Sequence, residues 1–174
     1  MIIQLELHYH DVSGQLIFGL SFGGMMCIEI AKQISIEFII IISSIKTSDE
    51  LPLWMKLTAK FKLNRLMPMR SFLLIEPLED HNLGVTTKQE KEMAHEYRRN
   101  VDTRYSNWAV DKLVNWKNKT VPGNLYHIHG TSDRIFSIKK IKPDYTIDKG
   151  GHLMIMNKSE EVNNCINSIL RNKI

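Results

Sequence analysis

The chain has 174 residues, 43% hydrophobic and 24% charged, which suits one globular domain with a sizeable core. Its net charge of +4, from 23 basic and 19 acidic residues, does not by itself indicate nucleic-acid binding. No apolar run is long enough to span a bilayer, and Cys27 and Cys165 are too few for a disulfide framework. The N-terminal residues lack the basic head and continuous apolar stretch of a signal peptide, so we expect a cytoplasmic protein with reduced thiols.

The first third of the chain predicts strands around one apolar helix. Residues 2–10 alternate between apolar and polar side chains, as in a half-buried strand, and residues 11–14 form a turn. Leu16–Leu20 is a short apolar run that predicts a second strand, and Gly24–Gln33 predicts a helix. The continuous β-branched run Phe38–Ile42 is typical of a central parallel strand covered on both faces.

Residues 50–118 predict helices inserted between two strands. In the first helix Leu53, Trp54, Leu57 and Phe61 share one face. A second helix begins at Thr87–Glu90, a capping box, and a third carries Trp108. Such an insertion indicates a helical cap over a sheet. We therefore divide the chain into a core of residues 1–49 and 119–174 and a cap of residues 50–118.

The cap also contains a basic stretch over residues 56–70, with no acidic residue. Its basic side chains are Lys56, Lys60, Lys62, Arg65 and Arg70. A solvated outer face of a cap helix accounts for them, and binding to a membrane surface or to nucleic acid is the alternative.

The predicted sheet resumes after the cap. Leu125–Gly130 and residues 145–147 read as strands, with a short helix over 137–141 between them. A final helix over about 158–170 places its apolar side chains on one face.

The strand Leu16–Leu20 leads directly into Gly19-Leu20-Ser21-Phe22-Gly23, a G-x-S-x-G pentapeptide followed by the predicted helix. This strand–turn–helix context is typical of a nucleophile elbow, a tight turn that exposes its central serine. We expect a Cβ at Gly19 or at Gly23 to clash where strand and helix nearly touch, which accounts for glycine at both positions. Ser21 would then lie at a helix N-terminus, where free backbone N–H groups stabilise an oxyanion.

Two further residues complete a candidate triad in chain order. Asp133 follows the strand that ends at Gly130, and His152 follows Gly150-Gly151. Asp144 and Asp148 are rival acids, but neither follows a strand that ends in glycine.

The ordered motifs G-x-S-x-G, His129–Asp133 and Gly150–His152 resemble those of the α/β-hydrolase superfamily, and particularly its small capped bacterial esterase-like members. The resemblance covers residues 16–170 and implies a mostly parallel sheet with flanking helices and a cap. It further implies Ser21 as nucleophile, His152 as general base, Asp133 as the acid that orients it, and the Phe22 backbone N–H as an oxyanion donor.

The expected substrate is a small apolar acyl compound, with no nucleic-acid partner. We expect its binding pocket to be lined by Trp54, Phe61, Met67 and Trp108 of the cap. His-x-His pairs occur at His8/His10 and at His127/His129, but neither is joined by a further ligand at metal-site spacing. We therefore predict neither a metal nor a cofactor.

The sequence departs from the superfamily pattern at its start. Only 20 residues precede Ser21, whereas the elbow strand of these hydrolases is normally the fifth of eight. The interpretation is an N-terminally truncated fold of about five strands. Residues 3–9 would pair as an antiparallel hairpin with Leu16–Leu20 and partly cover its edge. The loop that supplies the second oxyanion donor would be missing, so we expect weak turnover and self-association through the exposed edge.

Two functions follow from these residues. The first is a serine hydrolase that cleaves an ester or related acyl bond. The alternative is a catalytically inactive remnant of that fold that serves as a binding or interaction module.

Overall fold

The computed structural model describes residues 15–62, 76–100 and 102–171, and its centre is a parallel β-sheet. The strands are β1 (Leu16–Leu20), β2 (Phe38–Ile42), β3 (Leu125–Gly130) and β4 (Tyr145–Ile147), and they lie side by side in chain order. All three strand pairs are parallel, with Gly19 opposite Ile41 and Ile41 opposite His127. The carboxyl ends of all four strands therefore meet at one edge of the sheet.

The helices include those predicted, in the predicted order, and two more. They are α1 (Phe22–Ala31), α2 (Leu53–Lys60), α3 (Glu76–Leu83), α4 (Lys88–Asn100), α5 (Thr103–Val114), α6 (Met154–Asn157) and α7 (Ser159–Arg171). The two that were not predicted from the sequence are α3 and α6. A 3₁₀ turn at Ile138–Lys140 precedes β4. Among the described residues, no helix is both long and apolar enough to cross a lipid bilayer.

The isoleucine run of β2 is buried on both faces of the sheet, which confirms its predicted central position. Ile39 and Ile41 pack with Cys27 and Ile28 of α1. On the opposite face Ile40 and Ile42 pack in the cluster that contains Val162 and Ile169 of α7. Helices on both faces of a parallel sheet define the α/β class.

Within the described residues the sheet has four strands, one fewer than the five or so predicted. The proposed hairpin strand over residues 3–9 and its turn lie outside the described residues. Within those residues β1 pairs only with β2, and Phe18 of β1 is 49% exposed. Self-association through this edge stays a prediction.

Helices α2 and α5 pack together with α1. Met55 of α2 and Val114 of α5 join Met25 of α1 in one buried cluster. The predicted apolar face of α2 instead points outward: Trp54 is 57% exposed and Phe61 is 61% exposed. The helix is anchored instead by Met55, which follows Trp54 directly and is buried on a different face of the helix.

The capping box at the start of α4 is confirmed. The Glu90 backbone N–H donates to Thr87 Oγ1, and the Thr87 N–H donates to Glu90 Oε2 at 2.9 Å. The Thr86 N–H donates to the same oxygen at 2.7 Å. These backbone donors lower the pKa of Glu90 from 4.5 to about 2. Contact with the Asn157 side chain also ties α4 to α6.

Glu90→Gln should lower the free energy of unfolding at pH 7 by about 1 kcal/mol, because a neutral amide oxygen accepts the Thr86 and Thr87 N–H groups more weakly than a carboxylate does. The wild-type advantage belongs to the carboxylate, whose pKa is depressed in the folded state. It should therefore be present above pH 4.5 and be lost as the pH falls towards 2.

Urea unfolding of both proteins between pH 3 and pH 7 measures this difference. Glu92→Gln is the control. Glu92 is exposed, and its ion pair with the exposed Lys88 ammonium, at 3.8 Å, contributes little to stability. A stability loss in Glu90→Gln that does not change with pH would contradict the role assigned to the carboxylate.

Candidate active site

The turn between β1 and α1 holds Ser21 in a conformation that few L-residues adopt. Its φ is 52° and its ψ is −119°. The Ser21 N–H donates to the Ile42 carbonyl at 2.9 Å, and the Ser44 hydroxyl donates to the Ser21 carbonyl at 2.6 Å. Contacts from β2 and the residues that follow it therefore hold the strained backbone in place. As the N-cap of α1, Ser21 makes no side-chain capping bond, so its hydroxyl is free for another partner.

The glycines of the elbow have different roles from those predicted. A Cβ on Gly19 would lie 2.4 Å from the Gly23 carbonyl oxygen, which confirms the close approach of strand and helix. The same prediction for Gly23 is wrong, because a Cβ there would meet no atom within 4 Å. Gly24, which the motif does not include, is the second crowded position: its Cβ would lie 2.4 Å from Ser44 Oγ.

The side chains of Ser21, His152 and Asp133 meet at the carboxyl edge of the sheet. His152 Nε2 is 2.8 Å from Ser21 Oγ, and His152 Nδ1 is 2.9 Å from Asp133 Oδ2. His152 is 4% exposed and Asp133 is 5% exposed. Because a carboxylate only accepts, Nδ1 carries the hydrogen and Nε2 presents its lone pair to the serine hydroxyl.

Asp133 is held from its other side by its own loop. Its Oδ1 accepts hydrogen bonds from the N–H groups of Ile135 and Phe136, each at 2.9 Å. The two rival acids have other partners. Asp144 Oδ2 accepts a hydrogen bond from the His127 N–H at 2.8 Å, and Asp148 lies 3.5 Å from the Thr131 hydroxyl. Of the three candidate acids, Asp133 is therefore the one hydrogen-bonded to His152.

The loops that carry the acid and the histidine approach each other through glycines. A Cβ on Gly130 would lie 2.2 Å from the Gly150 carbonyl oxygen, so neither loop tolerates a side chain there. The end of α3 contacts both loops. The Leu153 N–H donates to the Leu83 carbonyl at 3.1 Å, and Arg134 Nη1 donates to the His81 carbonyl at 2.6 Å.

Apolar rings lie next to Ser21. Phe22 follows Ser21 as the first residue of α1, and the first N–H groups of a helix have no intrahelical acceptor. The Phe22 ring meets Trp108 of α5 edge to face, with centroids 5.7 Å apart. The structure thus brings Trp108 to the elbow, whereas Trp54 and Phe61 are exposed on α2 and Met67 lies outside the described residues.

The structure describes one of the two His-x-His pairs. His8 and His10 lie outside the described residues. His127 and His129 are both wholly buried, with ring centroids 5.1 Å apart. In the part of the chain that the structure describes, no group of three or more His, Cys, Asp or Glu side chains is placed to hold a metal ion.

Comparison with known proteins identifies the architecture. No sequence profile of a protein family and no curated protein sequence matches the chain. An esterase from Thermogutta terrifontis superposes with a TM-score of 0.71 at 16% identity, covering 92% of this chain and 66% of its own. A meta-cleavage product hydrolase from Pseudomonas fluorescens gives a TM-score of 0.63 at 15% identity, covering 94% of this chain and 67% of its own.

The chain has the α/β-hydrolase fold. A lipase-like protein from Acinetobacter baumannii gives a TM-score of 0.57 at 14% identity, covering 92% of this chain and 62% of its own. The chain thus spans about two thirds of the length of these hydrolase-fold proteins. The resemblance indicated by the three motifs is confirmed for the fold.

Ser44 belongs to the site but was not predicted from the sequence. Ser44 follows β2 at the carboxyl edge of the sheet, which is where α/β folds place their ligand-binding residues. That position was the available signal, but nothing in the sequence showed that its hydroxyl would reach the Ser21 carbonyl.

Gly19→Ala should lower the free energy of unfolding by about 1–3 kcal/mol, because its Cβ collides with backbone atoms that cannot rotate away. Gly23→Ala is the matched control in the same pentapeptide. It should be neutral or stabilising by up to about 1 kcal/mol, because alanine favours the helix and meets no neighbour. Urea unfolding compares the two variants, and equal losses would contradict the described contact between strand and helix.

Proposed function

We propose that this chain is a serine-dependent hydrolase that cleaves an ester or related acyl bond of a small apolar substrate. The observation that carries the proposal is the continuous pair of hydrogen bonds from Ser21 Oγ through His152 to Asp133. A buried carboxylate, an oriented imidazole and a hydroxyl on a strained turn together make a nucleophile activated by a general base.

In the proposed reaction Ser21 Oγ attacks the acyl carbon while His152 Nε2 takes the hydroxyl proton. The imidazolium then gives this proton to the leaving oxygen as the bond from that oxygen to the acyl carbon breaks. Water attacks the acyl-serine in the second half, again through His152, which releases the acid and restores Ser21. Asp133 keeps the proton on Nδ1 and stabilises the imidazolium without being protonated.

The oxyanion of each tetrahedral intermediate would accept a hydrogen bond from the Phe22 N–H at the start of α1. Loss of one such donor typically costs about 10²–10³ in rate, so this N–H would contribute substantially to turnover.

The preference for an apolar acyl group rests on the surroundings of Ser21. Phe22 packs against the buried cluster that contains Met25 and Val114, as do Val110 and Leu113 of α5, and its ring contacts Trp108. We propose that the inserted helices act as a cap whose inner wall includes Trp108. Trp54, Phe61 and Met67 remain proposed substrate contacts that only a bound acyl group can test.

The test is hydrolysis of a short p-nitrophenyl ester by the purified chain. Ser21→Ala should abolish the enzymatic rate, and Asp133→Asn should lower kcat by roughly 10³–10⁴-fold by favouring the wrong His152 tautomer. Asp148→Asn is the control for the acid, and Ser132→Ala, an exposed serine beside Asp133, is the control for the nucleophile. Both controls should keep the wild-type rate.

Two outcomes would contradict the proposal. Hydrolysis that survives Ser21→Ala would assign the reaction to another group. A folded protein with no Ser21-dependent hydrolysis would favour the alternative of a binding module without turnover.

A further inference from the structure

The imidazole of His129 lies beside the loop that carries Asp133 and Phe136, here called the acid loop. It has no part in the proposed reaction. It is wholly buried near the end of β3, and its Nε2 is 2.8 Å from the Phe136 carbonyl oxygen. A carbonyl only accepts hydrogen bonds, so Nε2 must carry the hydrogen. Burial lowers the pKa of His129, which keeps the ring neutral. The ring is therefore a fixed donor aimed at one backbone oxygen.

Phe136 connects this donor to two members of the triad. Its backbone N–H donates to Asp133 Oδ1 at 2.9 Å. Its ring packs against the His152 ring, with centroids 5.5 Å apart and planes inclined by 66°. Phe136 is itself 1% exposed. Any shift of this residue would therefore move the hydrogen bond that orients the acid and the ring that packs against the base.

We propose that His129 is a positioning residue: its Nε2–H holds the Phe136 carbonyl and thereby fixes the turn that aims Asp133 at His152. This inference rests on the proposed function, because it assigns a role within the same triad. It does not make His129 a catalytic residue, since its ring touches the acid loop and not the reacting atoms.

The geometry also separates His129 from a competing role as a direct partner of the acid. Its Nε2 is 3.6 Å from Asp133 Oδ2, longer than the 2.8 Å to the Phe136 carbonyl. The shorter contact takes the hydrogen, and Asp133 Oδ2 stays available to His152 Nδ1. A neutral ring in this place organises the loop without adding a second cation that would compete for the carboxylate.

The neighbouring His127 provides a matched control. It lies two residues earlier on β3, is equally buried, and contacts the His129 ring edge to face. Its ring lies near the Ser44 backbone, but neither nitrogen reaches hydrogen-bonding geometry with a described residue. Replacing either histidine removes a buried imidazole, but only His129 donates to the acid loop.

The decisive variants are His129→Leu, which removes the donor, and His129→Gln, whose side-chain amide nitrogen can take the place of Nε2. His127→Leu is the control. The first readout is the NMR resonance of the His152 Nδ1 proton in its hydrogen bond to Asp133, which needs no turnover. We expect this resonance to be weakened or lost in His129→Leu and kept in His129→Gln and His127→Leu.

The second readout is ester hydrolysis. His129→Leu should lower kcat roughly 10- to 100-fold, the cost of misplacing a catalytic group, with KM little changed. His129→Gln should recover most of this loss. A purely structural role would not separate Leu from Gln, nor kcat from KM.

Several results would overturn the inference. An unchanged resonance in His129→Leu would do so, as would an equal loss in His127→Leu. If His129→Leu does not fold, His129→Asn replaces it: asparagine is too short to reach the Phe136 carbonyl, so a resonance equal to that of His129→Gln would refute the role. A wild-type chain that hydrolyses no ester but shows the expected resonances would contradict the proposed function and leave the positioning role intact.

Discussion

The structure depends on the close approach of α1 to β1 at Gly19 and Gly23. A Cβ on Gly19 would lie only 2.4 Å from the Gly23 carbonyl oxygen, so this crossing has room for a hydrogen and nothing larger. The tight crossing forces Ser21 to a φ of 52° and turns its hydroxyl towards the carboxyl edge of the sheet. The acid and histidine loops arrive at the same edge because β3 and β4 run parallel to β1. A parallel sheet and one steric contact thus determine where Ser21, Asp133 and His152 meet.

The acid side of the site is supported by a chain of buried contacts. Asp133 receives two backbone N–H groups on one oxygen and His152 on the other, so the carboxylate has little freedom to rotate. Phe136 supplies one of those N–H groups and also packs on His152. In the proposed reaction this preorganised carboxylate would stabilise the imidazolium as it forms, without reorganisation of the loop.

Local patterns were sufficient to predict the sheet, the elbow and the positions of Asp133 and His152. Their signals are short-range: a strand followed by G-x-S-x-G, a strand that ends in glycine before Asp133, and the Gly150-Gly151 pair before His152. The capping box at Thr87–Glu90, which predicts the start of a helix, is equally local. The failures depend on contacts between distant segments. Gly24 is crowded because Ser44 packs against it, and α2 turns Met55 inwards because α1 and α5 meet it there, so Trp54 is left exposed. No periodicity within one helix contains that information.

The most direct test of the account is the site of covalent labelling by a fluorophosphonate, because labelling requires an activated serine and not a complete catalytic cycle. Mass spectrometry of the digested adduct should find one modified residue, Ser21, since this serine has a base at 2.8 Å and a helix N-terminus beside it. The Ser21→Ala variant should remain unlabelled under the same conditions. Modification of a different serine, or labelling that persists in Ser21→Ala, would contradict the account.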